Sequence, residues 1–207
     1  MKILVVFHSI YGHVQTLAKA VAEGVKEVPG VELVFRRVRE FPENVLSMEK
    51  EKGYSYQVYQ SQLSIPECTL DDLREADGVL FGSPTRYGNM TAQMKALIDS
   101  TAQLWLSGSM EGKPAGVFTS TGSTHGGQET TLVTMMVPLL HLGMIIVGVP
   151  YSVDGMLHTE ARGATPYGAS TIAGPKGELQ PKAEDLAIAK FQGKRVAEVT
   201  LALRSKK

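Results

Sequence analysis

Three short segments of the chain combine hydroxyl, amide and glycine residues in a way that suits a phosphorylated, flat ligand. The first, Ser9-Ile10-Tyr11-Gly12-His13-Val14, stands between an apolar run and a helical pattern. A helix beginning there would bring backbone N–H groups and partial positive charge to an anion, so no lysine is required. The second, Ser83-Pro84-Thr85-Arg86-Tyr87-Gly88-Asn89, sets an aromatic beside glycine and asparagine. That arrangement allows close backbone approach to a planar ring while amide and hydroxyl groups bond its polar edge. The third, Ser120-Thr121-Gly122-Ser123-Thr124-His125-Gly126-Gly127, is rich in glycine and hydroxyls. Neither the phosphate loop G-x-x-x-x-G-K-[ST] nor the dinucleotide fingerprint G-x-G-x-x-G is present, which leaves a mononucleotide phosphate as the better candidate. Taken alone, the first segment is equally well explained as a turn and helix cap made by Ser9 and Gly12.

The elements around these segments read as a doubly wound α/β sheet. Ile3-Leu4-Val5-Val6-Phe7 is a continuous apolar run, the pattern of a central parallel strand buried on both faces. Val14, Leu17, Ala18, Val21, Ala22 and Val25 recur at helical spacing until Pro29-Gly30. Val31 to Val38 alternates apolar with charged residues, which predicts a strand nearer the edge. Thr69 and Asp72 form a capping signal for a short helix over Leu70 to Ala76, leading into a third strand at Gly78 to Gly82. Met90, Met94, Leu97 and Ile98 mark the next helix, and Ala115 to Phe118 the fourth strand. Gln128 to Leu142 reads as helix despite Pro138, Met144 to Val149 as a fifth strand and Leu186 to Leu203 as a terminal helix. Five strands alternating with helices imply right-handed crossovers, with ligands at the carboxyl ends of the strands. The stretches of about 40–69 and 151–177 are given no elements and are expected as insertions in one domain spanning 1–207; segments that long are usually functional.

Composition narrows the chemistry further. The 207 residues carry 21 basic and 21 acidic side chains, scattered rather than blocked, so no broad field exists to hold nucleic acid. The one cysteine, Cys68, permits no internal disulfide and is expected to be a small buried apolar residue in a reducing compartment. No apolar run approaches the roughly 18 residues of a membrane span, and the chain reads as cytoplasmic. The spacings of the five histidines fit no common ligand motif, and no metal is assigned. Arg204, Lys206 and Lys207 are expected to form a solvated tail, and Met90, Met94, Met135 and Met136 to fill the core.

Across almost the whole chain, Ser9 to His13, Gly82 to Met90, Ser120-Thr121-Gly122, Gly126-Gly127-Gln128-Glu129, His141-Leu142-Gly143-Met144 and Gly163 to Ala169 resemble the WrbA-type, flavodoxin-like, FMN-containing NAD(P)H:quinone oxidoreductases. The resemblance implies that Ser9, Ile10, Tyr11, Gly12, His13 and Val14 hold the FMN phosphate. Pro84, Thr85, Arg86, Tyr87, Gly88 and Asn89 would border the isoalloxazine ring with Ser120, Thr121, Gly122, Ser123, Thr124 and Gly126, and His141 would reach its polar pyrimidine edge. Tyr11 matches a position near the nicotinamide nucleotide. Trp105, which on its own reads as a core aromatic, matches one that lines the substrate pocket across a subunit contact of a homotetramer, a dimer of dimers. The chain departs from many relatives at Ser123-Thr124-His125, where they carry more glycine, and residues 49–64, with Tyr54, Tyr56 and Tyr59, match no family motif.

The implied activity is a ping-pong cycle in which NAD(P)H reduces FMN, departs, and is replaced by a quinone that leaves as hydroquinone, with a protective role against redox-cycling quinones. The cofactor carries the redox chemistry, so no catalytic acid or base is demanded. His13, His125 and His141 are open to proton donation or to structural roles, with His125 expected to face solvent. Arg86 and Arg162 are the arginines considered for a nucleotide 2′-phosphate. Three rival readings remain: a flavodoxin-like electron carrier, for which the neutral charge and the long insertion are unfavourable; an interaction protein bound to a regulator, which neutrality and the converging loops disfavour; and an FMN-dependent reductase of another acceptor such as azo compounds.

Overall fold

The computed structural model describes residues 1–204; Lys206 and Lys207 of the expected tail lie outside them. Arg204 is not simply solvated, because its guanidinium pairs with Asp77 at 3.1 Å. One parallel sheet organises the chain, built from β1 (Lys2–Phe7), β2 (Glu32–Arg37), β3 (Gly78–Pro84), β4 (Pro114–Thr121), β5 (Ile145–Ile146) and β6 (Ser170–Ile172). Its order is β2-β1-β3-β4-β5, with β6 also paired to β4. This is the flavodoxin-like doubly wound arrangement, whose strand order reverses between β1 and β3 and so opens a crevice at their carboxyl ends.

The apolar runs explain the layers. In β1, Ile3, Val5 and Phe7 face α1 (His13–Lys26) and α8 (Ala183–Arg204), while Leu4 and Val6 join the opposite core with Leu73, Met94, Leu104 and Leu132. Strand period two therefore serves two cores from one segment. Strand β2 is half-buried, as its charged alternation requires at an edge. Thr69 caps α4 (Leu70–Glu75) through a reciprocal bond with Asp72. The methionines Met90, Met94 and Met135 are core residues, as expected.

Three expectations are corrected. The segment 40–69 is not structureless: it contains α2 (Pro42–Glu51) and α3 (Tyr54–Gln62). A short α6 (Ala102–Leu106) also follows α5 (Ala92–Asp99). The fifth strand is split, because the insertion interrupts it rather than following it: Ile145–Ile146 pairs with Pro114–Ala115, and Ser170–Ile172 resumes beside Thr119–Thr121. Cys68 is half-buried rather than fully enclosed, and desolvation pushes its thiol up to about 12. Among the described residues no helix is long and apolar enough to cross a membrane.

Candidate functional site

The first glycine of the site is fixed by its backbone. Gly12 caps α1 at φ 87°, a left-handed conformation that costs other L-residues about 1–2 kcal/mol. It allows the chain to turn abruptly from β1 into the helix, leaving the first-turn N–H groups without intrahelical partners. Ser9 does contribute a cap, accepting from Gln15 N–H at 3.2 Å, so the turn-and-cap reading and the anion-cradle reading describe the same loop. His13, the first helical residue, is buried and its Nε2 has no hydrogen-bonding partner. Burial holds its pKa below the usual value, against the pull of the Gly177 and Leu179 carbonyls.

The second loop is a tight hairpin. Arg86 N–H donates to Asn89 O at 2.7 Å and Asn89 N–H to Arg86 O at 3.0 Å, with Tyr87 and Gly88 both at positive φ between them. Both central residues at positive φ define a type I′ turn; Tyr87 is unusual there and projects fully into solvent. Gly88 and Gly127 meet closely, since a Cβ on Gly127 would stand 3.0 Å from Gly88 Cα. Thr131 Oγ1 donates to Thr85 Oγ1 at 2.8 Å and Thr134 Oγ1 to Gly88 O at 3.1 Å, so α7 (Gln128–His141) holds the hairpin against the third loop.

Ser9, Ile10, Tyr11, His13, Val14, Pro84, Thr85, Arg86, Ser120, Thr121 and Gly122, all expected from the sequence, line one cleft of about 380 Å³. Gly12 is not among the lining residues; a Cβ there would face Val58 and Tyr54 of α3. A fourth wall was not anticipated: Ala173 to Gly177, directly after β6, closes the cleft beside His13 at the start of α1. The signal available in the sequence was only that the insertion ends in Gly174-Pro175-Lys176-Gly177, a turn former in its own right. This donor set suits a flavin mononucleotide: a helix N-terminus of which Ser9 caps only the Gln15 N–H, an orphaned buried imidazole nitrogen, and hydroxyls on three strand-end loops.

Other expected residues lie elsewhere. Tyr87 and Asn89 border a second cavity of about 740 Å³, walled by Met48 and Gln93 and joined to the cleft at Ile10, Tyr11 and Arg86. Ser123, Thr124 and the buried Arg162 face a cavity beyond the 173–177 segment, where Arg162 donates to Gly155 O. Gly126 packs on Thr121 and Ser123, and His125 is exposed. His141 is not at the cleft within one chain. It shares an open groove of about 720 Å³ with Trp105, Met90, Ile98, Val137 and Pro138. Trp105 is 58% exposed, which rules out its reading as a core aromatic.

Sequence reasoning also missed Glu40. Its carboxylate accepts from His8 Nε2, Asn44 Nδ2, Gln93 Nε2 and Phe41 N–H, and it lines the second cavity. Burial raises its pKa, but the bonds from His8, Asn44 and Gln93 outweigh that and bring it down to about 2.

Comparison with known proteins agrees with this architecture. The family described as NADPH-dependent FMN reductase matches residues 1–158. A protein of Geotalea daltonii named NAD(P)H dehydrogenase (quinone) is 49% identical over 204 residues, covering 98% of both chains. One of the same name from Geobacter sulfurreducens is also 49% identical, covering 98% of this chain and 99% of its own. Among solved structures, a WrbA-like flavodoxin protein from Agrobacterium tumefaciens superposes with a TM-score of 0.66 at 23% identity, covering 97% of this chain and 98% of that one. An archaeal flavodoxin does so at 0.61 and 21%, covering 97% and 99%; these two show the fold. From residues 1–158 of the family match and near-half identity to full-length relatives, the chain belongs to the NADPH-dependent FMN reductase family, with NAD(P)H dehydrogenase (quinone) proteins as its relatives.

Proposed function

We propose that the chain is an FMN-dependent NAD(P)H:quinone oxidoreductase reducing quinones to hydroquinones by a ping-pong mechanism. The observation that carries this reading is the convergence of the loops after β1, β3, β4 and β6 on one cleft at the N-terminus of α1. When bound there, FMN supplies the two-electron chemistry, taking hydride from NAD(P)H and delivering both electrons to the quinone.

The chain's own residues bind and orient. Residues 9–14 present N–H groups and partial positive charge to the phosphate. Pro84, Thr85, Arg86, Ser120, Thr121 and Gly122 flank the ring, with Tyr11 in reach of the nicotinamide nucleotide on the side of the second cavity, while Ser123, Thr124 and Gly126 stand outside the cleft. His13 acts as a neutral hydrogen-bonding group, consistent with its lowered pKa. His141 and Trp105 complete a neighbouring subunit's site in a homotetramer built as a dimer of dimers. Support for that assembly comes from the apolar face of α6 and α7, where Trp105, Leu106, Val137 and Leu140 are all exposed. The protein works in the cytoplasm as one domain spanning 1–207 and limits redox cycling of quinones.

Steady-state turnover of NADH or NADPH with benzoquinone, without a protein partner, tests the reading. FMN-loaded protein is expected to turn over with parallel double-reciprocal lines, and FMN-stripped protein to be inactive. Intersecting lines would contradict the ping-pong order; no turnover would contradict the enzyme reading and favour the carrier.

A further inference from the structure

The cleft at the start of α1 must hold a phosphate dianion, yet residues 9–14 contribute no lysine or arginine. A helix N-terminus offers only about half an elementary charge. His13 adds little, being buried with its pKa held below the ordinary value. Two cationic side chains line the cleft, Arg86 and Lys176. Arg86 belongs to the hairpin end, where its Nη1 donates to Thr85 O at 2.7 Å. Lys176 belongs to the other end.

The position of Lys176 follows from a seven-residue strap. Leaving β6, Ala173 N–H donates to Thr121 O at 2.7 Å, and Leu179 N–H returns to Ala173 O at 2.8 Å. Between them Gly177 N–H donates to Gly174 O at 3.1 Å, with both glycines at positive φ. Glu178 Oε2 accepts Lys176 N–H at 2.8 Å, so this carboxylate is engaged by the strap's own backbone. The strap then leans on α1: a Cβ on Gly177 would stand 3.6 Å from His13 Cε1. His13 is 5% exposed, and its orphaned Nε2 is a second sign that this end of the cleft receives a polar group. One residue before Gly177, Lys176 is therefore carried at the mouth of the helix N-terminus. Its side chain is exposed and takes part in none of the ion pairs of the described residues.

We propose that Lys176 is a specificity-determining residue: it supplies the cation for the flavin 5′-phosphate and makes the cleft select FMN over unphosphorylated riboflavin. The inference rests on the reading that residues 9–14 hold that phosphate. It assigns the strap, and not the first loop, the charge-based part of cofactor choice.

The test measures FMN and riboflavin dissociation constants by flavin fluorescence on apoprotein prepared from the full chain, for wild type, Lys176→Gln, Lys176→Glu and Gly12→Val. Lys176→Glu is expected to weaken FMN at least about tenfold and to leave riboflavin within twofold, and Lys176→Gln to fall between with a shallower salt dependence than wild type. FMN affinity unchanged within twofold in Lys176→Glu would overturn the proposal, as would an equal loss for riboflavin. A third contrary result would be intact FMN binding with a raised KM for NADPH but not NADH, which would move the lysine to the nucleotide 2′-phosphate. Gly12→Val separates the two layers. If it weakens FMN while Lys176→Glu does not, only the role of Lys176 fails; if neither changes FMN affinity, the phosphate-loop reading fails with it.

Discussion

The carboxylate of Glu40 ties the end of β1, the start of α2 and the face of α5 together beside the cleft, through His8, Asn44 and Gln93. Its folded pKa of about 2 lies below the ordinary 4.5, so it contributes stability in full above pH 4.5 and loses that contribution as pH falls toward about 2. Glu40→Gln should therefore lower the Tm near neutrality and flatten the acid limb of the wild-type profile between those values; parallel profiles for the two proteins would contradict this. At Gly12, a valine must adopt φ 87° against its side chain, with its Cβ directed at Val58 and Tyr54, and so distorts the turn that presents the first N–H groups of α1. FMN affinity is expected to fall at least about tenfold, equivalent to about 1.4 kcal/mol, as read by fluorescence titration. None of the Glu40 network was legible beforehand. Glutamate in a charged, polar stretch carries no mark of burial, and its partners come from positions 8, 44 and 93. The three glycine and hydroxyl loops were legible because their chemistry lies in local residue types and in the strand that precedes each one.

At the scale of elements, the split fifth strand needs a repair. Opposite the interruption, Gln192 of α8 accepts from Ala169 N–H and donates to Val117 O, both at 2.9 Å, replacing the ladder bonds of missing strand residues. Gln192→Ala would orphan two buried backbone groups at about 1–3 kcal/mol each; urea unfolding should show a loss of about 2–6 kcal/mol, and a loss under about 0.5 kcal/mol would contradict the bridging role. Helices α1 and α8 approach through glycines, a Cβ on Gly193 meeting Val21 O at 2.0 Å and one on Gly24 meeting Lys190 O at 1.8 Å. Gly193→Ala is expected to cost about 1–3 kcal/mol by overpacking, measured in the same way. The apolar run Met144 to Val149 announced a strand, but nothing local says that only two of its residues pair before the chain leaves the sheet. Helices α2 and α3 escaped for a related reason: α2 buries no residue and α3 only Val58 and Gln62, so neither has an apolar stripe. The capping box at Thr69 and Asp72, by contrast, was read directly, because its whole signal lies within four consecutive residues.

At the scale of the molecule, the doubly wound order brings residues near 10, 85, 121 and 175 to one edge of the sheet, while the residues expected to finish the site, Trp105 and His141, sit in a separate groove. On the proposed reading, a second copy of the chain brings that groove to the cleft. Leu140, 58% exposed beside that groove, is the residue to perturb: sedimentation equilibrium should find wild type in an assembly larger than a monomer and Leu140→Asp shifted to smaller species. A wild type that is monomeric at micromolar concentration would contradict the tetramer. Sequence carried the doubly wound sheet because each apolar run reports its own burial, and its flavodoxin-like character came from the family resemblance, whereas the groove's apolar face is dispersed over α5, α6 and α7 and has no local signature.

The central claim is tested most directly by an anaerobic visible spectrum of the FMN-loaded protein, on adding NADH or NADPH and then benzoquinone. The account predicts loss of the flavin band with the nucleotide and its full return with the quinone. Bound FMN that neither nucleotide bleaches would contradict it.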